Sequence, residues 1–287
     1  MERRALGKTG ESLSILGFGG ILVMNSTQAH ANSLVAKAIH NGINYFDVAP
    51  TYGDAEDRLG PALQPYRNNV FLACKTSRRT AVDSEKELHN SLKKLRTDHF
   101  DLYQLHALNS IDETKQALGK GGVLETLLKA REKGLIRYLG FSAHDVPAAL
   151  YAMKHFDFDT VLFPCNFILY EKGNFGPSIK KEAQSRGMGM LALKSMALTK
   201  WAEGTDDHPY PKCWYEPITD IELAHLALRF TLGEGVTALL SPGEEKFFQI
   251  ALDYLSQGYT PLTDEERDFL KQEAESTTPL FSNTGVK

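Results

Sequence analysis

Cysteine is scarce in this chain of 287 residues, which has only Cys74, Cys165 and Cys213. They are odd in number and far apart, so they suit neither a disulfide framework nor the paired cysteines of a zinc ribbon. No apolar run approaches the roughly 20 residues that span a bilayer, and the N-terminus lacks the apolar core of a signal peptide. We therefore expect a cytoplasmic protein without a membrane partner.

An excess of charge of one sign is also lacking. The chain has 32 Lys+Arg and 36 Asp+Glu, a formal net charge of −4, and no tract rich in Lys and Arg. Such a chain offers no concentrated positive surface for a phosphate backbone, so we expect no nucleic-acid partner. Hydrophobic residues make up 42% of the sequence, which at this length permits a large buried core.

Short apolar runs alternate with longer amphipathic stretches about eight times. The pairs of run and stretch are 15–20 and 30–41, 43–48 and 56–64, 70–75 and 84–95, 100–106 and 123–133, 136–142 and 147–154, 160–166 and 175–185, 188–194 and 220–232, and 236–241 and 244–255. Runs that are apolar throughout suit parallel strands buried on both faces, and eight βα units close into a (β/α)8 TIM barrel. We predict one such domain over residues 1–287.

An open, doubly wound sheet is the alternative, but Gly17-Phe18-Gly19-Gly20 lacks the third glycine of its nucleotide-binding turn. Residues 3–16 contain Gly7-Lys8-Thr9-Gly10 and predict an N-terminal β-hairpin that plugs the barrel bottom. Residues 263–274 begin with Thr-Asp-Glu-Glu and predict an extra C-terminal helix. Two insertions, 107–122 and 198–219, interrupt the pattern. The second carries both tryptophans on the side where barrel active sites form.

Four residues at or after three consecutive strand ends could carry chemistry: Asp47, Tyr52, Lys75 and His106. Taken singly, an Asp after a strand often caps the following helix, and a Lys at a strand end usually extends its ammonium into solvent. Together, Asp47 can pair with a buried Lys75, and that ammonium would lower the pKa of the Tyr52 phenol and make it a general acid. A neutral His106 could orient a carbonyl oxygen. The set has no obvious nucleophile and no electron source, so a hydride donor must come from outside, and a reduced nicotinamide is the simplest choice.

The sequence closely resembles the aldo-keto reductase family, and the resemblance spans almost the whole chain. The motifs that carry it are Arg4-Ala5-Leu6-Gly7-Lys8-Thr9-Gly10, Gly17-Phe18-Gly19-Gly20, Phe46-Asp47-Val48-Ala49-Pro50-Thr51-Tyr52-Gly53, Lys75-Thr76, the strand reaching His106, Gly140-Phe141-Ser142 and Ala227-Leu228-Arg229-Phe230. The resemblance implies NADP(H) bound across the barrel mouth without a Rossmann domain. It assigns Tyr52 as proton donor, Lys75 and Asp47 as the pair that tunes it, and His106 as the carbonyl-orienting group.

The cofactor residues implied by the resemblance are Gly20, Ser142, Asn166, Lys194, Ser241, Gly243, Lys246 and Gln249. Three positions depart from the family pattern. Where the family has a Ser-Asn pair, this chain has Ser142-Ala143-His144. Leu162 stands where the family has a glutamine, and Leu193 stands where it has the aromatic residue that stacks on nicotinamide. With Lys194 at the end of the seventh predicted strand, the chain resembles the branch of the family related to predicted bacterial oxidoreductases, in which that strand ends in a lysine.

The roles of Lys194 and Lys246 each have two interpretations. Lys194 would contact the pyrophosphate or else extend to solvent. Lys246 would pair with a 2′-phosphate at a helix N-terminus, with Gln249 near the adenine, or else belong to a charged first turn.

The substrate pocket is predicted to contain Met24, Trp201, Tyr210, Trp214 and Tyr215, provided that the long loop folds over the cofactor. Trp214 and Tyr215 could instead anchor that loop, and His144 could line the pocket or bond locally. The predicted ligand is a small carbonyl compound or alcohol, and the protein is predicted to be a monomer or small homo-oligomer.

The residues are compatible with three functions. The first is an NADP(H)-dependent reductase of aldehydes or ketones. The second is a regulatory subunit that senses nicotinamide nucleotides with little turnover. The third is a metal-dependent barrel enzyme that uses Asp47, His106 and His144. These residues are far apart in sequence and show no short metal-ligand spacing such as H-x-x-x-H, so no metal is predicted.

Overall fold

Eight parallel strands close into a barrel in the computed structural model, which describes residues 1–205 and 207–283. Together with four strands outside the barrel, the described strands are β1 (Arg3–Ala5), β2 (Ser12–Ser14), β3 (Leu16–Gly19), β4 (Tyr45–Asp47), β5 (Phe71–Thr76), β6 (Phe100–Leu108), β7 (Ile136–Ala143), β8 (Thr160–Pro164), β9 (Gly189–Leu193), β10 (Ala197–Thr199), β11 (Glu216–Pro217) and β12 (Ala238–Leu240). The barrel runs from β3 to β9 in chain order, and β12 closes it by pairing with both β9 and β3. The predicted (β/α)8 TIM barrel is confirmed, and the open sheet is wrong.

Helices surround the barrel. They are α1 (Gln28–His40), α2 (Ala55–Leu63), α3 (Ala81–Lys94), α4 (Ile111–Leu118), α5 (Val123–Glu132), α6 (Val146–His155), α7 (Phe167–Glu171), α8 (Pro177–Ser185), α9 (Ile221–Gly233), α10 (Glu245–Leu255) and α11 (Asp264–Ser276), with 3-10 segments at Gly20–Val23 and Gln64–Asn69. None of these described helices combines the length and the apolarity needed to cross a membrane.

Side-chain caps fix where several helices begin. The Thr80 hydroxyl accepts from the amide of Asp83 at 3.3 Å, which starts α3 earlier than the predicted stretch 84–95. Thr263 and Glu266 form a reciprocal capping box at the start of α11, the extra C-terminal helix that the sequence predicted. Gly42 and Gly134 follow α1 and α5 with φ of +83° and +73°, left-handed conformations that glycine adopts without strain.

Two helices escaped prediction because both lie between the regular βα units. The helix α4 falls in the insertion 107–122, where the Ser110 hydroxyl accepts from the amide of Glu113 at 3.2 Å. The helix α7 has five residues, too few for an apolar period to be visible. Its cap is Asn166.

The barrel interior and its N-terminal end are filled by apolar side chains. The strands β1 and β2 form the predicted antiparallel hairpin, and Leu6 and Leu13 from it are fully buried in one cluster with barrel residues such as Leu102 and Leu191. Gly7, at the hairpin turn, approaches the backbone so closely that a Cβ would lie 2.3 Å from the amide nitrogen of Gly189. The hairpin therefore closes the end of the barrel opposite the strand C-termini.

Candidate active site

The carboxyl ends of β4, β5 and β6 bring three of the predicted residues together. Asp47 is the last residue of β4, Lys75 precedes the last residue of β5, and His106 lies near the end of β6. Tyr52 follows in the loop after β4. All four line one cavity of about 190 Å³ at the C-terminal end of the barrel, the end where active sites of this architecture lie.

Lys75 and Asp47 form a buried ion pair, each only 1% exposed. The Lys75 ammonium donates to one oxygen of Asp47, and the other oxygen accepts from Gln104 Nε2 at 3.0 Å and from the Tyr45 hydroxyl at 3.3 Å. Burial acts to lower the pKa of Lys75, but the Asp47 carboxylate and Tyr52 outweigh it and raise that pKa above its ordinary value of 10.5. Lys75 is therefore an ammonium at neutral pH.

The prediction of the ion pair missed Gln104 and Tyr45. Each lies two residues before a predicted site residue on the same strand, so its side chain points to the same face. That spacing was the available signal. Inside the runs 100–106 and 43–48, however, both residues look like ordinary members of a strand.

Tyr52 is half-buried, and Lys75 Nζ lies 5.3 Å from the centroid of its ring. Burial raises the pKa of the phenol and the ammonium of Lys75 lowers it, with a net increase above the ordinary value of 10.0. The expected lowering by the lysine is present, but desolvation exceeds it. Tyr52 is therefore protonated at neutral pH, beside a cation that stabilises the phenolate once the proton has left.

His106 faces Tyr52 edge-on, with ring centroids 5.9 Å apart and an interplanar angle of 89°. Its Nδ1 lies 3.4 Å from the Thr51 hydroxyl. Burial, followed by the charge of Lys75, lowers the pKa of His106 from 6.5 to about 3. The imidazole is therefore neutral at physiological pH and suits hydrogen bonding to a carbonyl oxygen.

His144 and Lys194 also line this cavity. Lys194 directly follows β9 and is 9% exposed, so it does not extend to open solvent. Burial lowers its pKa from 10.5 to about 7, against an opposing effect of Cys213. His144 Nε2 is buried without a hydrogen-bond partner in the described chain, and burial and Lys194 lower the pKa of that imidazole to about 3.

Four of the eight predicted cofactor residues line this cavity: Ser142, Lys194, Ser241 and Gly243. The Ser142 hydroxyl accepts from the amide of Ala107 at 2.8 Å. Gly243 stands after β12, where a Cβ would lie 3.1 Å from the carbonyl oxygen of Lys212. A larger residue would narrow this turn, so the glycine leaves room for a ligand to approach the backbone.

The other four predicted cofactor residues, Gly20, Asn166, Lys246 and Gln249, lie outside the cavity lining. The Asn166 amide donates to the carbonyl oxygens of Lys194 at 2.9 Å and Ala197 at 3.1 Å, and its oxygen caps α7. Lys246 Nζ donates to the Tyr210 hydroxyl at 3.3 Å. Gln249 bonds to Lys37 and Asp253 on the outer helices.

The long loop separates the predicted substrate residues into two groups. Trp214, 55% exposed, and the buried Tyr215 line the cavity. Trp201 instead donates from Nε1 to the carbonyl oxygen of Cys213 at 2.8 Å, and Tyr210 packs edge-on against Phe247. Met24 lines a neighbouring cavity of about 350 Å³.

Neither the cavity with Tyr52 nor any other part of the described chain gathers three His, Cys, Asp or Glu side chains in a way that could hold a metal.

A TIM barrel with a phenol, a buried ammonium and a neutral imidazole at its strand ends can orient and protonate a carbonyl oxygen. The Aldo/keto reductase family model matches residues 15–265, so the chain belongs to that family. It is therefore an oxidoreductase of the aldo-keto reductase type, as the sequence motifs predicted.

Relatives from bacteria and plants support the assignment. The chain is 25% identical over 300 residues to the uncharacterized oxidoreductase YqkF of Bacillus subtilis, covering 93% of this chain and 94% of that protein. It is 26% identical over 220 residues to L-galactose dehydrogenase of Arabidopsis thaliana, covering 69% and 66%. The holo form of aldo-keto reductase AKR11C1 from Bacillus halodurans superposes with a TM-score of 0.74 at 21% identity, covering 99% of this chain and 98% of that one.

Proposed function

We propose that the protein reduces aldehydes or ketones to alcohols with NADP(H), and that Tyr52 is the proton donor. The observation that carries this proposal is the phenol of Tyr52 beside the Lys75 ammonium, which the buried Asp47 carboxylate keeps charged. That ion pair makes loss of the phenolic proton less costly at the moment when a carbonyl oxygen becomes negative.

The residues present fit a nicotinamide dinucleotide at the mouth of the barrel. Lys194 supplies a cation without an acidic partner in the described chain, and Ser241 and Gly243 form an open turn just before the N-terminus of α10. These features suit a diphosphate, which binds well at helix N-termini and beside lysine. Lys246, on the first turn of α10, is the residue we assign to the 2′-phosphate. A bound reduced nicotinamide supplies the hydrogen and electron pair that the carbonyl carbon requires.

The chain's own groups perform the proton chemistry. His106 donates a hydrogen bond to the carbonyl oxygen and orients it. Tyr52 then transfers its proton to that oxygen, and the Lys75 ammonium stabilises the resulting phenolate. Trp214 and Tyr215 shield this side of the cavity from water.

Replacement of Tyr52 by Phe tests the proposal. We expect the Tyr52→Phe protein to lose aldehyde-dependent oxidation of NADPH, while its fluorescence titration with NADPH stays nearly unchanged. Tyr215→Phe is the matched control, since it removes another phenol from the same cavity and should retain most of the turnover. Unchanged turnover in Tyr52→Phe would refute the assignment. Tight nucleotide binding by the unaltered protein without turnover of any aldehyde would favour a regulatory subunit instead.

A further inference from the structure

The cavity contains the two buried lysines of the described chain, and their environments are opposite. The ammonium of Lys75 is paired with Asp47. Among the described residues, Lys194 has no carboxylate within ion-pair distance and no side-chain hydrogen-bond partner, although it lines the same space. A buried ammonium without a partner is destabilised by several kcal/mol, so a lysine in this position tends to release its proton.

The surroundings hold Lys194 in place. Its Nζ lies 4.6 Å from the centroid of the Trp214 ring and 5.2 Å from that of Tyr215, so aromatic faces enclose the amine. Its φ of +66° is a left-handed conformation that costs a non-glycine residue about 1 kcal/mol. The hydrogen bond from Asn166 Nδ2 to the Lys194 carbonyl oxygen, at 2.9 Å, supports that conformation. The side chain is therefore fixed at the cavity by contacts on both its backbone and its tip.

The state of the amine follows from this environment. With its pKa lowered to about 7, roughly half of Lys194 is the free amine at neutral pH, whereas an ordinary lysine is free in only about one molecule in three thousand. A desolvated lysine of this kind is a nucleophile toward carbonyl carbon. Lys75, whose pKa is raised, remains an ammonium and cannot react.

We propose that Lys194 is a covalent site for small aldehydes, which form an imine with its ε-amine in the nucleotide-free protein. The nitrogen lone pair forms a bond to the carbonyl carbon, and the carbonyl π electrons move to the oxygen. The nitrogen then loses two protons and the oxygen gains two. The oxygen leaves as one water molecule, so no oxidant or reductant is consumed. The cavity, with a volume of about 190 Å³, has room for a compound of a few carbon atoms beside Lys194.

The inference rests on the proposed function in one respect, namely that the cavity receives carbonyl compounds and a dinucleotide. An anionic diphosphate beside Lys194 would favour the ammonium and would occupy the space of the aldehyde. Imine formation and nucleotide binding should therefore exclude one another. Carbonyl compounds would then inactivate the protein when nucleotide is scarce.

Reductive trapping tests the site. The protein is incubated at neutral pH with propanal and cyanoborohydride, which reduces an imine to a stable propylamine, and the modified lysines are located by peptide mass spectrometry. We expect Lys194 to carry propyl groups at least about tenfold faster than the exposed Lys120, because of its larger fraction of free amine. Lys75 should remain unmodified and serves as the internal control for access without free amine.

Two further arms separate the possible outcomes. Lys194→Arg keeps a cation but cannot form this imine, so residue 194 should stay unlabelled while Lys120 is labelled as before. Excess NADP⁺ should slow labelling of Lys194 alone. Labelling of Lys194 no faster than that of Lys120, or labelling of Lys75 at a similar rate, would overturn the proposal. Fast labelling of Lys194 without protection by NADP⁺ would support the imine and contradict the nucleotide contact.

Discussion

Because Lys194 pairs with no carboxylate of residues 1–205 and 207–283, we predict that removing its charge stabilises the nucleotide-free protein. Methionine has a similar length and keeps the apolar contacts of the lysine stem without the ammonium. The pKa of Lys194 is about 7 in the folded protein, compared with 10.5 for an ordinary lysine. That difference of about 3.5 pKa units corresponds to about 5 kcal/mol of unfavourable free energy at or below neutral pH. We expect Lys194→Met to recover a large part of it.

The sign of the pH dependence follows from proton binding. Between pH 10.5 and 7 the unfolded chain binds a proton at Lys194 that the folded protein does not, so wild-type stability falls as the pH is lowered through this window. Below about pH 7 both states bind the proton, and the cost stays constant. The advantage of Lys194→Met should therefore shrink by about 3 kcal/mol when the pH is raised from about 7 to about 9.5.

Urea unfolding of the two proteins, without nucleotide and at several pH values in this window, measures the difference directly. Lys75→Met is the matched control and should have the opposite effect, since it leaves the buried Asp47 carboxylate without its ammonium and costs about 3 kcal/mol or more. Two findings would refute the reasoning. One is a Lys194→Met protein less stable than wild type at neutral pH, and the other is a stability difference that does not change with pH.

Two other predictions follow from the site and the barrel. Because the pKa of His106 is about 3, turnover should show no inflection near the ordinary histidine value of 6.5, and a pH profile of kcat with an inflection there that disappears in His106→Asn would contradict a neutral imidazole. Gly140→Ala would place a Cβ 2.2 Å from the Thr160 hydroxyl oxygen inside the barrel wall, so we expect a loss of at least about 2 kcal/mol in urea unfolding. Gly19→Ala, with no atom nearer than 3.9 Å, is its control, and equal losses would show that the close approach is not the cause.

The fold was predictable because local signals repeat. Apolar runs recur with every βα unit, capping residues and helix-terminal glycines mark several of the helices, and eight such units close naturally into one barrel. The position of the proposed catalytic residues followed from the same pattern, since parallel strands place their C-terminal ends together. Asp47, Lys75 and His106 could therefore be selected from their positions at strand ends alone.

The environment of each side chain was less predictable, because it depends on contacts between distant segments. Trp201 and Trp214 lie in the same loop and differ little in sequence context, yet one is held by the carbonyl oxygen of Cys213 and the other lines the cavity. Asn166 resembles a cofactor ligand, but its amide is fully used by backbone groups. For Tyr52, the sign of the net pKa change depended on the extent of burial, which no motif contains.

In the proposed mechanism one small cavity serves both proton transfer and ligand binding, and its two buried lysines divide these roles. A cation that assists Tyr52 must be present before the ligand arrives, so Lys75 is supplied with Asp47, Gln104 and Tyr45 by the fold itself. A cation intended for an anionic ligand gains most if no protein carboxylate competes for it. Lys194 meets that condition within the part of the chain that the structure describes, at the expense of stability in the nucleotide-free protein. The cost falls on the free state and is removed by an anionic ligand, so binding and folding stability are coupled through this one side chain.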